Sequence, residues 1–378
     1  MTRNVTKSIV ILIVVLLITG FVIAGFITGY RYVLKQDERF ANLRSQFDER
    51  GFSPITKDTP NAVEVYIPQQ ADSETIGEIL IDKGLISNLL AFKVISKFNG
   101  FDGQYQYGTH YLVPGLAYDE IMVLLTNQPE PVTVTIYEGM TYLDIKEKLI
   151  DAGMRFNPKL LDMMMNQPSL FMDFSFVRQI ETKPGREWLL QGYLWPDTYR
   201  FDINATEQQI IRTFLSNTEY RLRQGNYLER ATKIGMSLDE VLTLASIVQQ
   251  EGPIVEMPKI ARVFINRLDQ GMPLQSCATI NYLRKEEGKD ARLWIFHDDI
   301  ERYVNNLYNT YSYSGLPPGP INSPGLVAIE GVLWPATDRT WPGAGQYLFF
   351  CARGDGSNDF SKTSAEHEAK VAHYSATP

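Results

Sequence analysis

Glu251 closes the stretch LASIVQQEGP, Leu244–Pro253, on the same side of a helix as the apolar residues that lead to it. Helical residues advance by about 100° each, so Val241, Leu244, Ile247 and Val248 fall within about 80° of Glu251. Gln249 points to the opposite side and Gln250 to the flank. A carboxyl group at the end of a buried stripe is disfavoured as an anion by lost hydration and by the partial negative charge of a helix C-terminus. Its pKa should rise, and a glutamate that keeps its proton near neutral pH is what a general acid needs. The plain alternative is a frayed helix end turned to solvent, since surface glutamates are common.

The elements around Glu251 can be read from their start and stop signals. Ser237–Glu240, SLDE, is a capping box that opens the helix, and Gly252-Pro253 closes it. A second helix is expected from Pro258 to Gln270, with Ile260, Val263, Phe264 and Leu268 on its apolar face. Asn266 and Arg267 on that helix could reach a site or serve structural pairing. The stretch YNTYSYSGLPPGPINSPG, Tyr308–Gly325, is too aromatic and proline-rich for a disordered linker and reads as an ordered loop lining something. Trp195, Tyr308 and Tyr311 could stack on sugar rings or pack in a core.

Other chemistries find no support in the sequence. It has no G-x-S-x-G elbow, no P-loop and no paired-glycine fingerprint. His367 and His373 are not at the spacing that puts two metal ligands on one helical face. Asp355, Ser357, Asp359 and Glu366 fall at calcium-loop offsets, but Phe360 stands where that loop needs glycine. No metal and no organic cofactor is expected. The net charge of -8 over 378 residues gives no basic footprint for nucleic acid. With 44% hydrophobic and 21% charged residues, the balance is that of a folded protein.

Ser8–Tyr30 carries no charge and is long enough to cross a bilayer as an uncleaved signal anchor. Arg3 and Lys7 precede it while Arg31, Lys35 and Arg39 follow, so local charge leaves its orientation open. Cys277 and Cys351 are compatible with one disulfide, although two buried free thiols are the expectation. Residues 31–60, with Pro54 and Pro60, read as a linker.

A repeat follows. VEVYIPQQADSETIGEILIDKGLI from Val63 and VTVTIYEGMTYLDIKEKLIDAGMR from Val132 align at an offset of 69 residues. Val63, Val65 and Ile67 match Val132, Val134 and Ile136; Ile76, Glu78, Leu80, Asp82 and Gly84 match Ile145, Glu147, Leu149, Asp151 and Gly153. Each copy predicts an alternating strand, a turn and a short amphipathic helix ended by glycine. The first continues through a helix near Leu89–Phe98 to a strand near Gly108–Val113, giving β-α-α-β. Paired small modules of this kind suggest a spacer or a binding platform rather than a catalytic centre, unless the recurrence is coincidental.

Seven pieces taken together resemble the YceG-like family of membrane-anchored endolytic murein transglycosylases: GYLWPDTY, LASIVQQE, VFINRL, GMPLQS, YNTY, GLPPGPINSPG and FSKTSAEH. They occur in the family's order, most strongly from about Gly192 to His367. The resemblance implies cleavage within peptidoglycan glycan strands, between N-acetylmuramic acid and N-acetylglucosamine, leaving a 1,6-anhydro end. The family's catalytic glutamate falls on Glu251. Asn266, Gln275, Tyr308, Asn309 and His367 are the further candidates for holding substrate. The resemblance also implies that the β-α-α-β module is LysM-like, that the bulk of the chain lies outside the cytoplasmic membrane, and that a peptidoglycan synthase is a partner. Three positions depart from the family pattern: Gln249 and Gln191 stand where acids are usual, and Cys277 where aspartate is usual. The turn between Glu251 and Glu256 is also one residue short.

The expected fold is therefore α+β. A cytoplasmic tail (1–7) and transmembrane anchor (8–30) precede the linker (31–60) and the LysM-like module (61–130). A second β-α repeat with a helical connector (131–184) leads to a mostly helical catalytic domain with a small sheet (185–378). Two other readings compete: a non-catalytic wall-binding protein tethered to the membrane, and a hydrolytic muramidase that admits water in place of the C6 hydroxyl.

Overall fold

The computed structural model describes residues 2–51, 54–292 and 295–375. The charge-free N-terminal run lies in helix α1 (Thr2–Leu34). Within it, Val14–Arg31 is long and apolar enough to cross a membrane, and none of that segment is buried within the protein. The chain divides into two compact units, Met1–Pro131 and Val132–Pro378.

In the first unit, α2 (Gln36–Glu49) occupies part of the stretch expected as linker. The reason is spacing: Phe40, Leu43 and Phe47 recur at helical intervals and join the core of this unit, with Phe40 edge-on to Phe101. The prolines act only after this helix has ended. The expected β-α-α-β order follows, as β1 (Val63–Ile67), α3 (Ser73–Asp82), α4 (Leu89–Asn99) and β2 (Gly108–Leu112). Asp72 and Asn88 cap the two helices by accepting the Thr75 and Ala91 N–H groups. The strands pair antiparallel, Val63 opposite Leu112 and Ile67 opposite Gly108. Val65 and Ile67 alternate inward onto Ile76, Leu80 and Phe92, and α5 (Tyr118–Thr126) completes this core with Ile121 and Leu125.

The second unit begins with the second copy of the repeat, β3 (Val132–Thr135) and α6 (Tyr142–Asp151). Here β3 pairs with β4 (Thr198–Phe201), Val132 opposite Phe201, after α7 (Pro158–Met165) has intervened. The segment from 131 to 184 is thereby built into the same core as the residues that follow, through Val134, Leu149, Leu161 and Phe171. Next come α8 (Glu207–Gln224), α9 (Tyr227–Lys233), α10 (Leu238–Glu251), α11 (Met257–Asp269), α12 (Cys277–Glu286), α13 (His297–Arg302) and α14 (Leu326–Leu333). An antiparallel hairpin, β5 (Phe349–Ala352) and β6 (Asn358–Ser361), and the terminal α15 (Ser364–Ser375) close the unit. The fold is thus mixed α+β, with small two-stranded sheets among many helices.

Helix α10 is the axis of this unit. An apolar stripe was expected; instead every residue from Val241 to Val248 is buried. Its polar residues are satisfied internally: Thr243 donates to the Asp239 carbonyl at 2.7 Å and Ser246 to the Thr243 carbonyl at 2.7 Å. Ser237 and Glu240 form the expected capping box. At the same end, Asp239 and Arg186 form an ion pair of 2.7 Å in which both side chains are fully buried.

Candidate active site

Glu251 is the last residue of α10, and the turn after it explains its placement. Gly252 has extended backbone, so φ does not require glycine; a Cβ there would stand 2.6 Å from both Asn358 Nδ2 and Ile260 Cδ1. That close approach brings the β5–β6 hairpin onto the helix end. Asn358 donates to the Glu251 carbonyl at 3.2 Å and also to the Glu256 carboxylate at 3.0 Å.

The Glu251 side chain is half-buried in the wall of a cavity of about 700 Å³. Its Oε1 accepts the Ser276 hydroxyl and, at 3.4 Å, the Ala278 N–H at the start of α12. Burial pushes its pKa up, while these two bonds pull it down. The rise predicted from the helix pattern is therefore present, opposed by donors that the pattern did not reveal.

Ser276 is itself fixed. Its N–H donates to Thr310 Oγ1 at 3.0 Å, and its hydroxyl caps α12 by accepting the Ala278 N–H at 3.2 Å. Gln275 beside it has φ of 51°, the left-handed region that non-glycine residues occupy only when their surroundings enforce it. The enforcing contacts are the Gln275 N–H to the Thr310 carbonyl at 3.0 Å and Arg267 Nη2 to Gln275 Oε1 at 2.6 Å.

The cavity brings Glu251, Gln275 and His367 together, along with Arg267, Cys277, Tyr311, Asn322 and Phe349. It does not bring in the other three candidates. Asn266 is buried and donates to the Ala344 and Tyr347 carbonyls at 2.8 and 2.9 Å, so it anchors the approach to β5. Tyr308 is buried against Tyr282, with ring centroids 5.0 Å apart. Asn309 is buried and donates to the Ile300 and Tyr303 carbonyls, while its Oδ1 accepts the Tyr311 N–H at 3.0 Å. Each has its polar group or ring committed to the scaffold, which a sequence pattern cannot distinguish from a ligand contact. Trp195 is buried as well.

Several residues that line the cavity or bond to Glu251 escaped the sequence reading as a site. Ser276 and Asn322 sit within GMPLQS and GLPPGPINSPG, so the motifs were visible but the contacts across the chain were not. Asn322 donates to the Ser246 carbonyl at 2.7 Å, fixing the loop to α10. The second repeat copy was expected to serve as platform, yet Gly139 and Thr141 line the cavity. Gly139 accepts Gln250 Nε2 at 3.1 Å.

The three departures from the family pattern also find their places. Gln191 is buried, accepting the Tyr142 N–H at 2.9 Å and donating to the Pro320 carbonyl at 2.8 Å. Gln249 accepts the Gly325 N–H at 2.8 Å, at the start of α14. Cys277 lies 3.2 Å from the Tyr311 hydroxyl, and burial raises its thiol pKa; both it and Cys351 are free thiols. A larger cavity of about 1200 Å³, lined by Trp334, Trp341, Lys259 and Arg262 among others, contains none of the candidate residues.

Residues 65–373 match the YceG-like family. The chain belongs to that family. It is 29% identical to an endolytic murein transglycosylase of Bacillus subtilis (strain 168), over 85% of this chain and 87% of that protein. It is 30% identical to an endolytic murein transglycosylase of Streptococcus pneumoniae (serotype 2, strain D39), over 81% of this chain and 56% of that longer protein. Its fold resembles the crystal structure of a YceG-like protein from Listeria monocytogenes, with a TM-score of 0.54 and 28% identity, covering 82% of this chain and 99% of the other.

Proposed function

We propose that this protein is an endolytic lytic transglycosylase that cleaves peptidoglycan glycan strands between N-acetylmuramic acid and N-acetylglucosamine. The observation that carries the reading is Glu251: a carboxyl group whose pKa is raised by burial, held on a cavity wall by Ser276 and the α12 N-terminus. Family membership and the names of its relatives agree with it.

The geometry supports one residue working in both steps. Burial favours the protonated form, so Glu251 can give its proton to the departing glycosidic oxygen. The carboxylate left behind is then met by the Ser276 hydroxyl, the Ala278 N–H and the positive end of the α12 dipole. It takes the proton of the muramic acid C6 hydroxyl, which attacks its own anomeric carbon and closes the 1,6-anhydro ring. Because that nucleophile is already attached to the reacting sugar, effective molarity replaces a separately activated water.

A hydrolytic reading needs a second carboxylate, and Glu368 also lines the cavity. It is exposed and accepts the Ser364 hydroxyl at 2.8 Å, an environment that does not single it out as a base. We further propose that α1 anchors the chain in the cytoplasmic membrane with the catalytic unit outside. On this reading the β-α-α-β unit is a LysM-like wall-binding module, and a synthase of growing strands is a partner.

The test digests polymeric peptidoglycan with the detergent-solubilised full chain and with Glu251→Gln, and identifies new chain ends by mass spectrometry. Anhydro-muramic ends are expected from the parent, with a loss of about a thousandfold or more in the variant. Reducing ends would assign a hydrolase instead. Strand binding without cleavage by either protein would favour the wall-binding reading.

A further inference from the structure

Three cations line the Glu251 cavity, and they are not equivalent. Lys285 donates to Asp144 at 2.6 Å, and Arg292 pairs with Asp299 at 2.8 Å. Arg267 has no carboxylate partner among the described residues, although it is only 6% exposed. Its Nη1 and Nη2 go to uncharged acceptors, the Leu274 carbonyl at 3.1 Å and Gln275 Oε1 at 2.6 Å. Its Nε is buried without a hydrogen-bond partner. A buried charge left uncompensated is costly, and structures retain one chiefly where something else supplies the opposite charge.

A second buried nitrogen on the same cavity wall is also unpaired. His367 Nδ1 has no hydrogen-bond partner. Both residues meet one ring: the Arg267 guanidinium lies 5.2 Å from the Phe349 centroid, and the His367 imidazole stacks on Phe349 at 5.3 Å. Burial and the neighbouring Arg267 hold the His367 pKa below the ordinary histidine range, so a neutral ring with one N–H to give is the favoured form. Gln275, whose Oε1 accepts Arg267, is an exposed residue lining the same cavity. The nearby acid, Glu368, is exposed and bonded to Ser364.

We propose that Arg267 and His367, flanking Phe349, form a carboxylate-binding subsite that reads an acidic group carried by the muramic acid residue. This assignment rests on a murein strand being the substrate. The lactyl ether of muramic acid ends in a carboxyl group. That carboxylate is free on strands stripped of peptide; on intact strands it is an amide, and the stem peptide supplies carboxylates of its own. Arg267 is a planar donor suited to that anion, and it also holds the strained Gln275 that precedes Ser276. Substrate charge and Glu251 placement therefore meet in one short segment.

The experiment measures equilibrium binding to the full chain carrying Glu251→Gln, so that strands bind uncut. Two pairs of strands are compared: intact strands with and without carbodiimide-methylamine neutralisation of the peptide carboxylates, and amidase-stripped strands with and without the same treatment of the lactyl carboxylate. Neutralisation should weaken binding about tenfold in the pair whose carboxylate is read. Adding Arg267→Met should remove that difference, and Arg267→Lys should restore part of it. The strand comparison itself is made with Arg267 in place, so it stands even where Arg267→Met fails to fold. Equal binding within both pairs overturns the subsite, as does a difference that persists in folded Arg267→Met. A chain that neither binds nor cuts any strand fails the murein reading itself, which is a separate result.

Discussion

The two ends of helix α10 each carry an acid, and the protein treats them in opposite ways. Asp239, in the first turn, is fully buried and paired with Arg186 at 2.7 Å, and it accepts the Tyr193 hydroxyl at 2.8 Å. Glu251, in the last turn, is half-buried with no cation bonded to it among the described residues. The helix dipole favours the first carboxylate and opposes the second. One acid is tied to a cation and holds the fold; the other meets only neutral donors, and burial raises its pKa. Residue type and helix membership are nearly the same at the two ends, so position and partners divide the roles.

The largest expected effect breaks the functional end. Glu251→Gln should lower the rate of anhydro-end formation by about a thousandfold or more while leaving the fold intact. It should even stabilise the protein in a defined pH window. The folded state holds a proton on Glu251 at pH values where the unfolded chain has released it, so parent stability falls as pH rises from the ordinary glutamate range to the raised folded pKa. Glutamine removes that loss. Thermal melts of both proteins across mildly acidic to neutral pH should diverge in favour of the variant; a variant less stable throughout would contradict the burial of this group.

Breaking the structural end should give the converse. Asp239→Asn leaves Arg186 buried without its counter-charge and should cost about 3–5 kcal/mol, measurable by denaturant unfolding. The folded fraction should cut strands at a rate near that of the parent. A large loss of rate with unchanged stability would erase the distinction between the two acids.

Ser276→Ala should sharpen the contrast with a smaller change. Losing a donor to the carboxylate raises the Glu251 pKa further, so the alkaline limb of the pH–rate profile moves to higher pH. The maximal rate should fall about tenfold, because the carboxylate formed after the first step loses its hydroxyl partner. A stability loss of about 1 kcal/mol is expected from the missing α12 cap. A profile that does not move would show that Ser276 acts only as a cap.

The smallest effect concerns the backbone beside Gln250. Gly139 has φ of 81°, and its counterpart in the first repeat copy, Gln70, has φ of 62°. Gly139→Ala should cost about 1 kcal/mol in strain, and the new Cβ would stand 2.6 Å from Gln250 Nε2. Gln70→Gly, which trades strain for chain entropy, should stay within about 0.5 kcal/mol of the parent. Equal sensitivity in both copies would show that the cavity contact at Gly139 contributes nothing.

That pair of positions also shows how far local sequence carries. Both copies were legible as strand, turn and helix, down to Gly84 and Gly153, the left-handed glycines that follow the helices. The use made of each copy was not legible. One strand closes on β2 within its own small unit, while the other is completed by β4 and its turn walls the cavity. The same limit separates the substrate candidates. Gln275 and His367 reached the cavity, whereas Asn266, Tyr308 and Asn309 became part of its supports.

The sequence by itself determined what depends on near neighbours along the chain: the apolar span, the capped start and glycine-proline stop of α10, and the carboxyl group at the end of a buried run. Periodicity and capping act within a few residues, so they can be read without a fold. Only the tertiary structure decided which polar groups meet. Ser276 reaches Glu251 from 25 positions away, and Arg186 reaches Asp239 from 53. The partners that pair one acid with a cation and give the other only neutral donors come from distant segments, and packing alone brings them together.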